Sequence, residues 1–201
     1  MMMGKLIVIE GPDRSGKGTQ SRLLVDALVR RGIRVVRVEP TKESHPRARK
    51  MIYAMLESGE ARRRPNAFQL LQFANRTYFT FFRLPELLRN NQLVVLDRWS
   101  LSGYVYGKCE GISQWLNELI RALTLDPDLT VILQGSTYAR PGAADDSYEA
   151  DADLQFRVHD EYRQCVGLPH HIAVDNSGSV QEVHEDIVGL LHDHGILWAR
   201  P

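Results

Sequence analysis

The sequence predicts an α/β protein: a parallel five-stranded sheet covered by helices on both faces. Three observations carry that prediction. Short, largely apolar runs recur at residues 6–9, 33–39, 92–96, 129–133 and 171–175. Segments long enough for helices separate them, so successive strands connect by right-handed crossovers and lie parallel, buried on both faces. A glycine-rich turn, with Gly11, Gly16 and Gly18, joins the first run directly to the first helical pattern.

Each element has a local reason. Leu6-Ile7-Val8-Ile9 is continuously apolar, as a doubly buried strand requires. The helix after it sets Leu23, Leu24, Ala27 and Leu28 on one face and stops at Gly32. The second strand, 33–39, ends at Pro40. Residues 46–58 and 66–90 read as two helices split by a breaker at 59–65. The fourth strand follows an Asp126-Pro127-Asp128 turn. A last helix sets Val180, Val183, Ile187 and Leu191 at helical spacing, with His192 and His194 before Gly195. Residues 135–150, with Pro141, Gly142 and several small and acidic residues, read as a lid loop.

The chain has 201 residues, 43% hydrophobic and 25% charged, which suits one domain over 1–201 without repeat or linker. A membrane span is excluded by the lack of any long apolar run. The first residues show no cleavage-site pattern, so no signal peptide is expected. Two cysteines, Cys109 and Cys165, exclude a disulfide framework and a four-cysteine zinc site; they are expected as reduced thiols in the cytoplasm (or the nucleus, in a eukaryote). The zero net charge hides an asymmetry: residues 1–100 hold 19 Lys+Arg against 9 Asp+Glu, and the rest hold 6 against 16. A basic half in a balanced chain favours a small phosphorylated ligand over nucleic acid.

The strongest motif is Gly11-Pro12-Asp13-Arg14-Ser15-Gly16-Lys17-Gly18-Thr19, between strand and helix. It fits G-x-x-x-x-G-K, with Gly18 where Ser or Thr is usual. In such a loop backbone N–H groups cradle phosphate oxygens at the positive end of the helix. All nine residues are expected to contact ATP. Lys17 supplies charge to the transferring phosphates, and Thr19 stands in for the missing hydroxyl as a ligand to Mg²⁺ or to a phosphate. Asp97 and Arg98 end the third strand, where ligands bind in open parallel sheets. Asp97 can hold Mg²⁺ through water, and Arg98 can clamp phosphate oxygens.

The wider pattern resembles the thymidylate kinase family. Ile9-Glu10-Gly11-Pro12-Asp13-Arg14-Ser15-Gly16-Lys17 is similar to the loop of its eukaryotic-type members, while Gly16-Lys17-Gly18-Thr19-Gln20 is closer to adenylate kinases. Glu39-Pro40-Thr41-Lys42, Phe73-Ala74-Asn75-Arg76, Asp97-Arg98-Trp99, Ser102-Gly103, Tyr106 and Pro127-Asp128-Leu129 follow in the family's order. So do Tyr148-Glu149 and the stretch from Val174-Asp175 to Ile187.

The resemblance implies a P-loop kinase with strand order 2-3-1-4-5. It implies transfer of the γ-phosphoryl of ATP to a deoxynucleoside monophosphate, with dTMP as the expected acceptor. Another or base-modified monophosphate, and a P-loop module without kinase activity, stay open as alternatives. The implied acceptor contacts are Asp13, Lys42, Arg76, Arg98, Ser102, Gly103, Tyr106 and Tyr148, with Tyr106 crowding the 2′ side of the sugar. Gln72 and Phe73 are also expected to contact the acceptor: Gln72 stands where the family usually stacks a Phe on thymine and could instead hydrogen-bond a base edge, and the ring falls one place later at Phe73, about 100° around a helix. Lys17, Arg14 and Arg98 are the expected catalytic charges, with Asp13 orienting the acceptor. Arg14 is expected to outweigh Arg140, because the segment around Arg140 is rich in acids. Nucleotides are the expected partners, with no nucleic acid or membrane, and a homodimer is left open.

Overall fold

The structure, a computed structural model, describes residues 3–43, 45–135 and 151–197. The expected lid at 135–150, with Arg140 and Tyr148, lies outside the described residues except for Gly135. The first half of the chain runs β1 (Lys5–Glu10), α1 (Lys17–Arg30), β2 (Val35–Val38), α2 (Pro46–Glu57), α3 (Glu60–Arg63), α4 (Pro65–Tyr78) and α5 (Leu84–Asn90). The second half runs β3 (Leu93–Asp97), α6 (Ser100–Cys109), α7 (Gln114–Ala122), β4 (Leu129–Gln134), α8 (Ala152–Gln164), β5 (His171–Asp175) and α9 (Val180–Asp193).

The five strands pair in parallel in the order β2-β3-β1-β4-β5, as expected. β1 is central, with Ile7 opposite Val95 of β3 on one side and Leu129 of β4 on the other. Its side chains alternate between two cores. Ile7 and Ile9 pack with Leu24 and Leu28 of α1 and Val183, Ile187 and Leu191 of α9. Leu6 and Val8 face Phe79, Leu84, Leu88 and Trp99. A third cluster joins α2, α4, α6 and α8 through Ile52, Phe68, Val105, Val158 and Tyr162. The chain crosses from one side of β1 to the other between β3 and β4. Such reversals open a crevice at the carboxyl ends of the strands, which is where ligands bind.

Two expectations need correction. The breaker at 59–65 contains the short α3, entered through Gly59 at φ 69°. The helix expected over 66–90 is interrupted by a π-helical turn, Phe79–Arg83. Pro85, in the first turn of α5, has no N–H to continue the α-helical ladder, so the register widens just before it. Among the described residues no helix is long and apolar enough to cross a membrane.

Candidate active site

The site begins where β1 stops. Gly11 adopts φ 145°, and a Cβ there would come within 2.8 Å of the Leu133 carbonyl oxygen, so this turn requires glycine. Gly16, at φ 89°, starts α1, and its carbonyl accepts from the N–H groups of Thr19 (3.0 Å) and Gln20 (2.9 Å). Arg14, at φ 60°, is the non-glycine residue of the loop in the left-handed region. From beyond β5, Asn176 Nδ2 donates to the Ser15 carbonyl at 2.7 Å and braces the loop.

Lys17 is buried, its Nζ donating to the Pro12 carbonyl and to Ser15 Oγ at 3.2 Å. Burial, reinforced by the Arg98 charge, lowers its pKa to about 7 against the opposing pull of Asp13, Asp97 and Glu10.

Arg98 also has a left-handed backbone, φ 68°, which a non-glycine residue adopts only under constraint. The constraint is visible on both sides: Arg98 N–H donates to the Ile9 carbonyl at 3.0 Å, and the next N–H, of Trp99, donates to Glu10 Oε1 at 2.7 Å. The Glu10 carboxylate is fully buried and accepts three further bonds, from Ser102 N–H (3.1 Å), Ser102 Oγ (2.5 Å) and Tyr162 Oη (2.9 Å). It thereby closes the N-terminus of α6, where a negative charge is favoured. Trp99 is buried edge-on to Phe79, consistent with a packing role.

The Arg98 guanidinium donates to the Gly11 carbonyl and to Ser102 Oγ, each at 3.2 Å, and pairs with Asp13. Tyr106 Oη (2.6 Å) and Gln155 Nε2 (2.8 Å) donate to the other Asp13 oxygen. Burial opposes ionisation of Asp13, but Arg98, Lys17 and these two donors together hold its pKa below the ordinary value. The Arg98 guanidinium carbon lies 5.7 Å from the centre of the Tyr106 ring. Asp13, Arg98, Ser102 and Tyr106, expected to act together, therefore form one connected cluster. Ser102 enters it as an interior residue whose hydroxyl is committed to Glu10.

Arg76 reaches the cluster from α4. Burial is the main cause lowering its pKa, and its Nη1 has no hydrogen-bond partner among the described residues. A Cβ on Gly103 would fall 2.2 Å from that nitrogen, so the glycine is what admits the guanidinium. One turn back on α4, Gln72 Oε1 is likewise buried and unpartnered, as are both amide atoms of Asn75. Phe73 packs against Ile112 and Leu116, so its ring is accounted for by an apolar cluster beside α7. Lys42 is exposed and pairs with Glu39 at 2.6 Å. Asp97 pairs with Arg37 at 2.6 Å, and its Oδ2 is 3.4 Å from where a Cβ on Gly18 would stand.

Glu10, Arg37, Gln155, Tyr162 and Asn176 belong to this assembly and were not singled out from the sequence. Glu10 and Arg37 carry a signal: each is a charge within or ending a buried apolar strand. The other three reach the loop across more than 140 residues, and nothing local marks them.

A glycine-rich loop after the central strand, a buried lysine and converging arginines have the form of a nucleotide-dependent phosphotransferase site. The thymidylate kinase family model matches residues 9–187. Over 94% of its length the chain is 29% identical to a probable thymidylate kinase of Thermococcus gammatolerans, of which it covers 96%. It is 30% identical to the thymidylate kinase of Schizosaccharomyces pombe, covering 96% of this chain and 94% of that one. The solved thymidylate kinase of Candida albicans superposes with a TM-score of 0.79 at 26% identity, covering 96% of this chain and 93% of the other. The chain belongs to the thymidylate kinase family and is an ATP-dependent nucleoside monophosphate kinase.

Proposed function

We propose that the chain transfers the ATP γ-phosphoryl to dTMP through a preset cluster of positive charge. The carrying observation is the convergence of Lys17, Arg98 and Asp13 on the loop after β1, fixed by Glu10 beneath it. The acceptor phosphate, with a second pKa of about 6, is mostly a dianion at neutral pH and needs no general base. Catalysis then consists of alignment and charge neutralisation. In this reading the loop from Gly11 to Thr19 holds the ATP phosphates, Lys17 and Arg14 neutralise the transferring group, and Arg98 clamps both substrates. Asp13 accepts from the acceptor's sugar, with Tyr106 beside it, and Lys42 meets the acceptor phosphate from the edge.

Mg²⁺ fits the donor set in a limited way. Asp97 offers a hard oxygen beside Gly18, and Thr19 a hydroxyl. Among the described residues no group of three or more His, Cys, Asp or Glu side chains is built to hold a metal, so Asp97 and Thr19 are the residues that would hold it. The ion, when bound, would supply positive charge to the phosphates.

The base is recognised at Gln72 and Arg76. Arg76 only donates, while Gln72 Oε1 only accepts, and the two lie one turn apart. A pyrimidine imide edge, carbonyl beside N–H, complements that pair without a stacking ring. The Candida albicans enzyme is described as having broad substrate specificity, which supports testing other monophosphates as well. Coupled ADP-release assays over a panel of deoxy- and ribonucleoside monophosphates test this reading, with dTMP expected to give the highest kcat/KM. Tyr106→Ala is expected to narrow the ratio between deoxy and ribo acceptors. An unchanged ratio assigns discrimination to another residue.

A further inference from the structure

The loop departs from its motif at Gly18, and the structure places a specific group against that gap. Arg37, from the middle of β2, runs past Gly18 to pair with Asp97 at 2.6 Å; its Nη2 lies 3.6 Å from where a Gly18 Cβ would stand. The same guanidinium donates to Ser21 Oγ at 2.6 Å and pairs with Glu39 at 2.9 Å, so its position is fixed from three sides. Ser21 Oγ in turn donates to the Gly18 carbonyl at 3.3 Å, which ties the network to the first turn of α1. A side chain at position 18 would stand against both partners of this pair, its Cβ 3.4 Å from Asp97 Oδ2 and 3.6 Å from Arg37 Nη2.

We propose that Arg37 is a positioning residue that neutralises Asp97 beside Gly18 and so shifts the nucleotide site away from dependence on a divalent cation. This rests on the phosphate-loop reading above. With its charge matched by a fixed guanidinium, Asp97 neither repels nucleotide phosphates strongly nor attracts a cation strongly. The site therefore retains affinity for metal-free ATP. Removing the guanidinium exposes the charges of Asp97 and Glu39 to the phosphates, and the divalent ion must then compensate.

Calorimetric titration of ATP, once in excess EDTA and once in Mg²⁺, gives the ratio of the two affinities for the wild type, Arg37→Met, Arg37→Lys and Gly18→Ser. The wild type is expected to bind both forms. Arg37→Met should weaken metal-free ATP about tenfold while changing Mg-ATP by less than about threefold, as loss of one charge near a polyphosphate implies. Arg37→Lys should recover most of the wild-type ratio. Gly18 has no left-handed φ, so Gly18→Ser is conformationally allowed and should move the ratio in the same direction as Arg37→Met. A purely structural role would weaken both forms equally, and that result overturns the proposal. If Arg37→Met does not fold, a wild-type ratio in Gly18→Ser overturns it equally well. A wild type that binds neither form instead refutes the phosphate-loop reading and takes the proposal with it.

Discussion

Lys17 is the residue whose chemistry the fold changes most. Its ammonium lies under the loop, where burial and Arg98 lower its pKa to about 7, so in the free enzyme it loses its proton near neutrality. In the proposed mechanism the protonated form is the one that binds phosphate. The kcat/KM for ATP should therefore fall on the alkaline side from about pH 7, while bound phosphates restore the proton and move the limb of kcat to higher pH. Superimposable alkaline limbs would show that the amine is not the titrating group. The stability consequence has the opposite sense. Between about 7 and the ordinary 10.5 the unfolded chain binds the extra proton, so the penalty of burying Lys17 lessens as pH rises through that window. Gly103 gives a second test at this scale. Gly103→Ala places a methyl where the Arg76 guanidinium lies, displacing it without touching the loop. The KM for the acceptor should rise about tenfold or more, the effect of one lost charged contact, with the KM for ATP nearly unchanged. Equal changes in both constants would refute the assignment of Arg76 to the acceptor.

Among the elements, α8 matters most to the site, because Gln155 on its second turn bonds both the side chain and, at 3.3 Å, the N–H of Asp13. The helix starts at Asp151, whose carboxylate accepts from Leu154 N–H at 2.8 Å and pairs with Arg62 of α3 at 2.5 Å. The Leu154 N–H first, then Arg62, lowers the Asp151 pKa, so the stabilisation is present above the ordinary carboxylate range and lost as pH falls through it. Asp151→Ala should cost about 1 kcal/mol in denaturant unfolding, with Asp151→Asn costing less because an amide still caps the helix. Identical losses in the two variants would mean that the ion pair, not the cap, is the source. The elements also mark where the sequence was readable. β1, the loop and α1 are contiguous, and apolar runs and glycines alone locate them. The role of α8 depends on a contact 142 residues apart, which only the closed sheet creates. The π-turn escaped for a different reason: Pro85 was visible, but whether it ends a helix or only widens one turn depends on Phe79 being fixed in the core.

Across the whole molecule, the charge asymmetry of the sequence takes on a spatial meaning. Arg14, Lys17, Arg37, Arg76 and Arg98 all come from the basic first hundred residues, and the sheet order brings β1, β2 and β3 together so that four of them meet around the loop and α6. The resemblance supplied that order in advance, and the apolar runs supplied the strands. The departure at Gln72 was equally visible, although its orphaned oxygen became so only once α4 was packed. What unites these features is one reaction, and following the γ-phosphoryl itself tests it most directly. With ATP labelled at the γ-phosphate, dTMP and Mg²⁺, the label should appear in dTDP, and Lys17→Ala should slow its appearance about a hundredfold while the protein stays folded. Label released only as inorganic phosphate, or transferred at the wild-type rate by the lysine variant, would contradict the account.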